Sequence, residues 1–310
     1  MPQNLEKTKS PAIDGKGIEA LRTKIDQRLE EHFNAVGPDS RLGCAIRHGL
    51  LSPGKRIRPL MTLLACRQSG ADEDCAIDAA CAVEMVHAAS LIMDDLPSMD
   101  DARLRRGALA THVVFGEGAA MLAAIALLNE SFRLLTLGAD ISAEAKLRAV
   151  DHLSRSIGVE GLAGGQERDI ACGKYAPGNV SLKEMEKRHL EKTGALFAAA
   201  AAIGGEIAGA NPKTIEMLFE YGKNLGLAYQ AFDDVIDVSC SEEQAGKDVD
   251  QDCEKSTVVS LLGADGAKVL GERRLARAIE CARKASKTDA SPLADLALLV
   301  GAKFGAMTTA

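Results

Sequence analysis

The chain has 310 residues, of which 46% are hydrophobic and 26% charged, and its formal net charge is −7. This composition is typical of a soluble protein with a core, and acidity without a basic stripe argues against nucleic acid as a partner. Aromatic residues make up only 3% and Trp is absent, which favours closely packed helices over sheets.

The predicted elements are helices. Residues 1–16 form a polar lead that we expect to be disordered. Helical patterns then cover residues 18–33, a segment opened by 52–59 and running to 68, and residues 76–95, 118–137, 141–156, 182–207, 212–238, 256–262, 272–286 and 291–300. No window alternates with period two and the composition does not shift along the chain. We therefore predict one all-α domain over residues 1–310, a single bundle of about ten helices.

Cysteine spacing and apolar runs bear on where the protein resides. The eight cysteines show no CxxC spacing, and the N-terminal segment has no apolar stretch typical of a signal peptide. We therefore expect reduced cysteines and a cytoplasmic location. The most apolar runs, 119–128 and 195–203, are about half of the roughly 20 residues that span a bilayer, so we expect no integral membrane segment.

Two aspartate clusters lie in otherwise apolar helical segments: Asp94, Asp95, Asp100 and Asp101 in the first, and Asp233, Asp234 and Asp237 in the second. Crowded carboxylates are costly to bury unless a cation neutralises them. Mg²⁺ takes one or two carboxylates and shares the phosphate oxygens of a substrate. A solvated helix end is the alternative for one cluster alone, although Asp at a helix C-terminus opposes the helix dipole. Two facing clusters would hold a diphosphate through several metal ions.

Basic and polar residues accompany the clusters: Lys55, Arg58, His87, Arg105, Arg106, Lys192, Thr193, Gln230, Lys247 and Lys255. His87 falls on nearly the same helix stripe as Asp94, and Gln230 lies one turn before Asp233. Arginine presents a planar fork to phosphate oxygens, although local Asp–Arg pairing is the alternative for the two arginines. Each lysine alone fits a solvated surface charge. Together with two acidic clusters they predict a cation-lined cavity for diphosphates.

These segments resemble the trans-isoprenyl diphosphate synthase family. The first cluster is similar to the family's DDxxxxD motif followed by RRG, and residues 229–237 are similar to its YQxFDDxxD motif. Further matches are GKRIRP (54–59), EMVHAASLIMDD (84–95), GGQxxD (164–169), KTGALF (192–197) and KSTVVSLLG (255–263). The sequence most resembles bacterial geranylgeranyl diphosphate synthases of carotenoid pathways, which share the two-residue insertion in the first motif. Lys247 and Lys255 depart from the spacing of many members, although bacterial relatives of this subgroup show a similar shortening.

The resemblance implies a helical bundle around a central cavity, usually a homodimer, that joins isopentenyl diphosphate head-to-tail to dimethylallyl, geranyl or farnesyl diphosphate. It assigns about three Mg²⁺ ions, which Mn²⁺ could replace, to Asp94, Asp95, Asp100, Asp233 and Asp237. It assigns isopentenyl diphosphate to Lys55, Arg58, His87 and Arg106. It assigns the allylic diphosphate to Arg105, Lys192, Thr193, Gln230, Lys247 and Lys255, of which Lys192, Thr193 and Gln230 act in catalysis.

Product length depends on the helix before the first cluster. Ala89 and Ser90, one turn before Asp94, are small, and a turn rises about 5.4 Å, close to one isoprene unit. An open path favours geranylgeranyl diphosphate, although Ala89 would also be small if two helices pack closely there. The alternatives are a farnesyl diphosphate synthase, a terpene cyclase, which would not need the second diphosphate site, and a non-catalytic regulatory subunit, which would lack intact acidic motifs.

Overall fold

The computed structural model describes residues 12–36, 39–138, 141–174, 181–239 and 257–307. Over these residues the chain is nearly all helix, which confirms the predicted all-α class. The α-helices are α1 Gly15–Val36, α2 Arg41–Leu50, α3 Ile57–Gln68, α4 Ile77–Asp94, α5 Thr111–Phe115, α6 Glu117–Leu137, α7 Ala143–Ile157, α8 Leu162–Lys174, α9 Leu182–His189, α10 Ala195–Ile207, α11 Pro212–Ser239, α12 Val258–Ala285 and α13 Pro292–Met307. A 3-10 turn, Glu73–Ala76, precedes α4, and a π-helical turn, Leu190–Gly194, joins α9 to α10. Strands β1 Leu104–Arg105 and β2 Ala108–Leu109 form a short antiparallel hairpin.

Helices α4 and α10 form the centre of the bundle. Every residue from 196 to 206 in α10 is buried, as is most of α4, which is the behaviour of helices that are apolar on all sides. Helix α3 lies so close to α10 that a Cβ on Gly204 would come within 2.2 Å of the Thr62 carbonyl oxygen. Helices α4 and α11 both contact α10. The two helices that carry the aspartate clusters therefore both pack against α10.

Two boundaries at the N-terminal side differ from the prediction. Helix α1 begins at Gly15, and the backbone N–H groups of Ala12 and Ile13 donate to Asp295 of α13. The predicted disordered lead therefore ends too late, and its residues 1–11 lie outside the described residues. Helix α2 was not predicted, although its cap is visible in the sequence: the Ser40 hydroxyl accepts the Gly43 N–H at 3.0 Å.

Element α12 covers both predicted helices, 256–262 and 272–286. The predicted end at residue 262 agrees with the structure, because Gly263 leaves the helical region with φ 70° and ψ 168° and forms a kink. The helix resumes directly after Gly263, so the second predicted helix begins earlier than residue 272.

Two helical stretches, Glu73–Asp94 and Glu117–Leu137, are long and apolar enough to cross a membrane by length and composition. Two such helices are weak evidence for membrane spans, because the core helix of a soluble protein passes the same test. The apolar window of the first is 67% buried, as in a core helix, whereas that of the second is 44% buried. The second, α6, exposes an apolar face that includes Met121, Leu122 and Ile125.

Candidate active site

The first aspartate cluster lies where α4 ends. Helix α4 stops at Asp94, and the Asp100 N–H donates to the Asp94 carbonyl oxygen at 2.9 Å, so the chain turns back on itself before the hairpin. Burial raises the pKa of Asp94 to about 6; the Lys192 ammonium opposes this shift and the Asp100 carboxylate adds to it. A carboxylate that is desolvated and crowded in this way gains from a bound cation.

Asp95 points elsewhere. It is 2% exposed, and its Oδ1 accepts from Arg105 Nε at 2.9 Å. The sequence assigned Asp95 to metal and Arg105 to the allylic diphosphate, whereas the structure pairs them with each other. The local Asp–Arg pairing is therefore present, and Arg105 lines the cavity as well.

The hairpin presents Arg105 and Arg106 in different directions. Its two-residue turn, Arg106-Gly107, has φ values of 55° and 78°, and two-residue hairpins favour such positive values. Arg105 reaches Asp95, while Arg106 Nη2 lies 3.4 Å from His87 Nε2. Among the described non-glycine residues, Arg56, Asp101 and Arg106 have left-handed backbones. These three residues lie in the 54–59 segment or in and just before the hairpin, and strained backbones are common at functional sites.

Lys55, Arg58, His87 and Arg106, called here the basic cluster, converge on one cavity. Arg58 Nη1 lies 3.2 Å from His87 Nε2, and its guanidinium stands 4.3 Å from the Phe197 ring centroid. Burial, reinforced by Arg58 and Arg106, holds the pKa of His87 well below its usual value. The imidazole is therefore neutral and accepts from the arginines.

The basic cluster is suited to an anion. Burial lowers the pKa of Arg58 to about 10, so Arg58 stays charged at neutral pH. Its buried Nε finds no hydrogen-bond partner among the described residues. A diphosphate oxygen would satisfy that donor and offset the repulsion between the arginines.

A buried ion pair that the sequence analysis did not assign supports this cluster. Arg56 Nη1 lies 2.5 Å from Glu84 Oε1, and its Nη2 donates to the carbonyl oxygens of Leu50 and Ser52 at 3.1 Å. Glu84 is also 4.0 Å from Arg106 Nη2. The signal was an acid inside the apolar run of α4, one turn before His87.

The π-helical turn presents Lys192 and Thr193. One extra residue in a helix re-aims the side chains around it and is frequent at functional sites. Lys192 Nζ donates to Asp169 Oδ2 at 2.6 Å, and Thr193 Oγ1 donates to Gln230 Oε1 at 3.0 Å. Helix α8 can approach this turn closely because residue 165 is glycine. A Cβ on Gly165 would lie 2.3 Å from the backbone nitrogen of Lys192.

The second aspartate cluster divides its side chains between two directions. Asp233 and Gln230 line the cavity, whereas Asp234 is 3% exposed and accepts the Val258 N–H at 2.9 Å. Asp237 is half-buried on α11, one turn beyond Asp233.

The cavity has a volume of about 600 Å³. The predicted site residues that line it are Lys55, Arg58, His87, Arg105, Arg106, Thr193, Gln230 and Asp233. The structure therefore brings together residues up to 178 positions apart in the chain. Tyr229 and Phe197 also line it, and their rings lie 5.7 Å apart.

The predicted site residues that line this cavity fall within a segment that matches a known family. The polyprenyl synthetase family model matches residues 40–294. The chain belongs to the polyprenyl synthetase family.

Relatives of this polyprenyl synthetase have informative names. It is 42% identical over 247 residues to geranylgeranyl diphosphate synthase of Pantoea ananas, covering 79% of this chain and 80% of that one. It is 41% identical over 263 residues to the chloroplastic geranylgeranyl pyrophosphate synthase 12 of Arabidopsis thaliana, covering 84% and 73%. A solved geranyltransferase of Helicobacter pylori, complexed with magnesium and isoprenyl diphosphate, superposes with a TM-score of 0.80 at 26% identity, covering 95% and 97%.

Other predicted site residues of this polyprenyl synthetase lie away from the cavity lining. Lys192 is close enough to act on Asp94 and Asp100 electrostatically. Ala89 is 1% exposed in the core, and Ser90 Oγ donates to the His87 carbonyl oxygen. Lys247 and Lys255 fall outside the described residues.

Proposed function

We propose that the protein is a geranylgeranyl diphosphate synthase, a short-chain prenyltransferase that joins isopentenyl diphosphate to dimethylallyl, geranyl and farnesyl diphosphate. The observation that carries the proposal is one cavity that contains both the basic cluster and the Gln230–Asp233 end of the second aspartate cluster. A condensation of two diphosphates needs two anion sites in one enclosed space. The names of the relatives from Pantoea and Arabidopsis support the twenty-carbon product.

The basic cluster would bind isopentenyl diphosphate. Arg58, Arg106 and Lys55 supply positive charge, and the neutral His87 holds both guanidinium groups by accepting from them. Because both arginines engage the Nε2 atom of His87 and its pKa is held well below the usual value, His87 would position the arginines and would be a poor proton acceptor.

Asp94, Asp100, Asp233 and Asp237 would hold Mg²⁺, with Mn²⁺ as a substitute. No group of three or more His, Cys, Asp or Glu in the described parts of the chain is arranged as a closed metal site. Mg²⁺ does not require such a cluster, because this ion uses one or two carboxylates and completes its shell with water and phosphate oxygens. The crowded, desolvated Asp94 is a donor of the required kind. When bound, Mg²⁺ neutralises the allylic diphosphate and so promotes its departure.

The chain itself would act on the allylic cation. The C1–O bond of the allylic substrate breaks and the electron pair leaves with diphosphate. The double bond of isopentenyl diphosphate then attacks C1, and a proton passes to the departed diphosphate. Thr193 Oγ1 and Gln230 Oε1 present oxygen dipoles to the cavity, which stabilise positive charge. The rings of Phe197 and Tyr229 exclude water from the cation.

A test of the activity is incubation of the purified chain with Mg²⁺, radiolabelled isopentenyl diphosphate and each allylic primer in turn. Geranylgeranyl diphosphate from all three primers is expected. Accumulation of farnesyl diphosphate would favour the alternative, a farnesyl diphosphate synthase. That alternative has a specific basis, because Ala89 and Ser90 do not line the cavity described here. A chain without any turnover would be a regulatory subunit, which the intact aspartate clusters argue against.

We also propose a homodimer formed through α6. Met121, Leu122 and Ile125 are 41%, 56% and 61% exposed and fall on one side of the helix, which is the arrangement of an apolar surface that a second copy would cover. Ile125→Asp should yield monomers by light scattering. Val269→Asp, at a 64% exposed position on α12, is the matched control and should remain dimeric.

A cytoplasmic location and a role in supplying carotenoid synthesis complete the proposal. Among the described residues, Cys44, Cys66, Cys75, Cys81 and Cys281 are free thiols, which supports a reducing compartment. The resemblance to the bacterial carotenoid subgroup supports the role.

A further inference from the structure

A chain of hydrogen bonds runs from the π-helical turn to the first residue of α12. Thr193 Oγ1 donates to Gln230 Oε1 at 3.0 Å. Gln230 Nε2 donates to Asp234 Oδ1, and the Val258 N–H donates to Asp234 Oδ2, both at 2.9 Å. Thr193 and Gln230 line the cavity, whereas Asp234 is behind them and 3% exposed.

The available donor and acceptor groups fix the direction of each hydrogen bond in this series. The two oxygens of Asp234 accept from the N–H groups of Gln230 and Val258, and a carboxylate can only accept. Its neighbour must therefore be the NH₂ side of the Gln230 amide, which turns the carbonyl oxygen toward Thr193. The Thr193 hydroxyl then donates to that oxygen and keeps its own lone pairs for the cavity. A negative charge at the start of α12 is also favourable, because unpaired N–H groups carry partial positive charge there.

We propose that Asp234 is a positioning residue that locks the Gln230 amide with its oxygen toward the reacting centre. This inference rests on the proposed function and deepens it. It separates the adjacent aspartates: Asp233 lines the cavity, while Asp234, about 100° further around α11, faces α12 and acts through Gln230. The Gln230 amide needs such positioning because its oxygen and NH₂ ends have nearly the same shape but opposite partial charges, so a reversed amide would fit the same space.

Reversal of the amide would place its NH₂ group beside the allylic cation. Asp234→Asn produces that reversal with little change in volume. Asn has one acceptor, which the Val258 N–H retains, and one NH₂ group, which faces Gln230 and pairs with the oxygen of a reversed amide. The Asn oxygen still accepts the Val258 N–H, and Thr257 remains the N-cap of α12, so the start of α12 is preserved.

The test is a double-mutant cycle of Asp234→Asn and Gln230→Glu. Gln230→Glu alone places a second carboxylate next to that of Asp234, and the two repel each other. The double variant exchanges the charge and the amide between the two positions, conserves net charge, and again offers an oxygen to Thr193. For each protein, kcat, both KM values, the Mg²⁺ concentration for half-maximal rate and the Tm are measured.

Asp234→Asn is expected to lower kcat at least about tenfold, since a misdirected dipole now opposes the transition state. Both KM values and the Mg²⁺ requirement should stay within about twofold. The double variant should recover to within about threefold of the wild-type kcat. A purely structural cap predicts near wild-type kcat for Asp234→Asn, and a metal ligand predicts a raised Mg²⁺ requirement. Either result, or a double variant no better than the single ones, overturns the proposal.

Failure of the proposed function is distinguishable from failure of this inference. A wild-type chain that makes no prenyl product would refute the proposed synthase activity. The Tm values of the wild type, the two single variants and the double variant would still show whether Asp234 and Gln230 pair. Gln230→Glu alone should then lower the Tm, and Asp234→Asn should restore it. Additive Tm changes would mean that the two side chains do not pair as described.

Discussion

The ion pair of Arg56 and Glu84 gives the most quantitative prediction. Their side chains are 1% and 2% exposed, and Arg56 Nη1 lies 2.5 Å from Glu84 Oε1. Glu84→Gln keeps the shape and an acceptor but removes the charge. Breaking a buried pair costs about 3–5 kcal/mol, because the remaining charge is desolvated and uncompensated. Arg56 keeps Asp26 and two carbonyl oxygens as partners, so we expect about 3 kcal/mol.

Equilibrium unfolding in urea at one protein concentration measures this loss. Asp26→Asn is the matched control, because it removes the other carboxylate from the same guanidinium at 2.8 Å. The Asp26 side chain is 48% exposed, so solvent screens the pair and the loss should stay below about 1 kcal/mol. Equal losses for the two variants, or a Glu84→Gln loss under about 1 kcal/mol, would refute the reasoning that burial sets the magnitude.

Three further predictions concern activity. Asp94→Ala and Asp233→Ala should each lower kcat by at least about 100-fold with Mg²⁺ present while circular dichroism is unchanged; near-normal kcat would exclude the metal role. Arg106→Ala should mainly raise KM for isopentenyl diphosphate, whereas Arg105→Ala should alter kcat or the allylic KM; the same KM rising in both would contradict two separate sites. A folded Ala89→Phe variant should make mostly farnesyl diphosphate, and unchanged product length would show that the tail does not pass Ala89.

The fold class could be predicted because local sequence patterns determine it. Helices α4 and α10 carry apolar residues around nearly their whole circumference. Few segments of the sequence favour strands instead. Short elements were harder: α2 is ten residues long and contains two internal glycines, which lower helix propensity. The hairpin 104–109 was hidden because its strands are two residues each, too short for alternation to register.

The composition of the site could be predicted, but its pairings could not. Motif spacing identified eight of the residues that line the cavity, since the matched segments carry them directly. Whether Asp95 turns to metal or to Arg105 depends on how the hairpin folds back over α4, which is a tertiary contact. The roles of Glu84 and Asp234 likewise depend on distant partners, Arg56 and Val258, and no single helix contains both halves of either contact.

We propose that this cavity joins two diphosphates and stops at twenty carbons. The most direct measurement is chain-length analysis of the labelled products formed by the purified chain from isopentenyl diphosphate and farnesyl diphosphate with Mg²⁺. The account predicts one addition and the accumulation of geranylgeranyl diphosphate. An unextended farnesyl primer in an enzyme that extends geranyl diphosphate would contradict the assigned product length, and failure to extend any primer would contradict the claim as a whole.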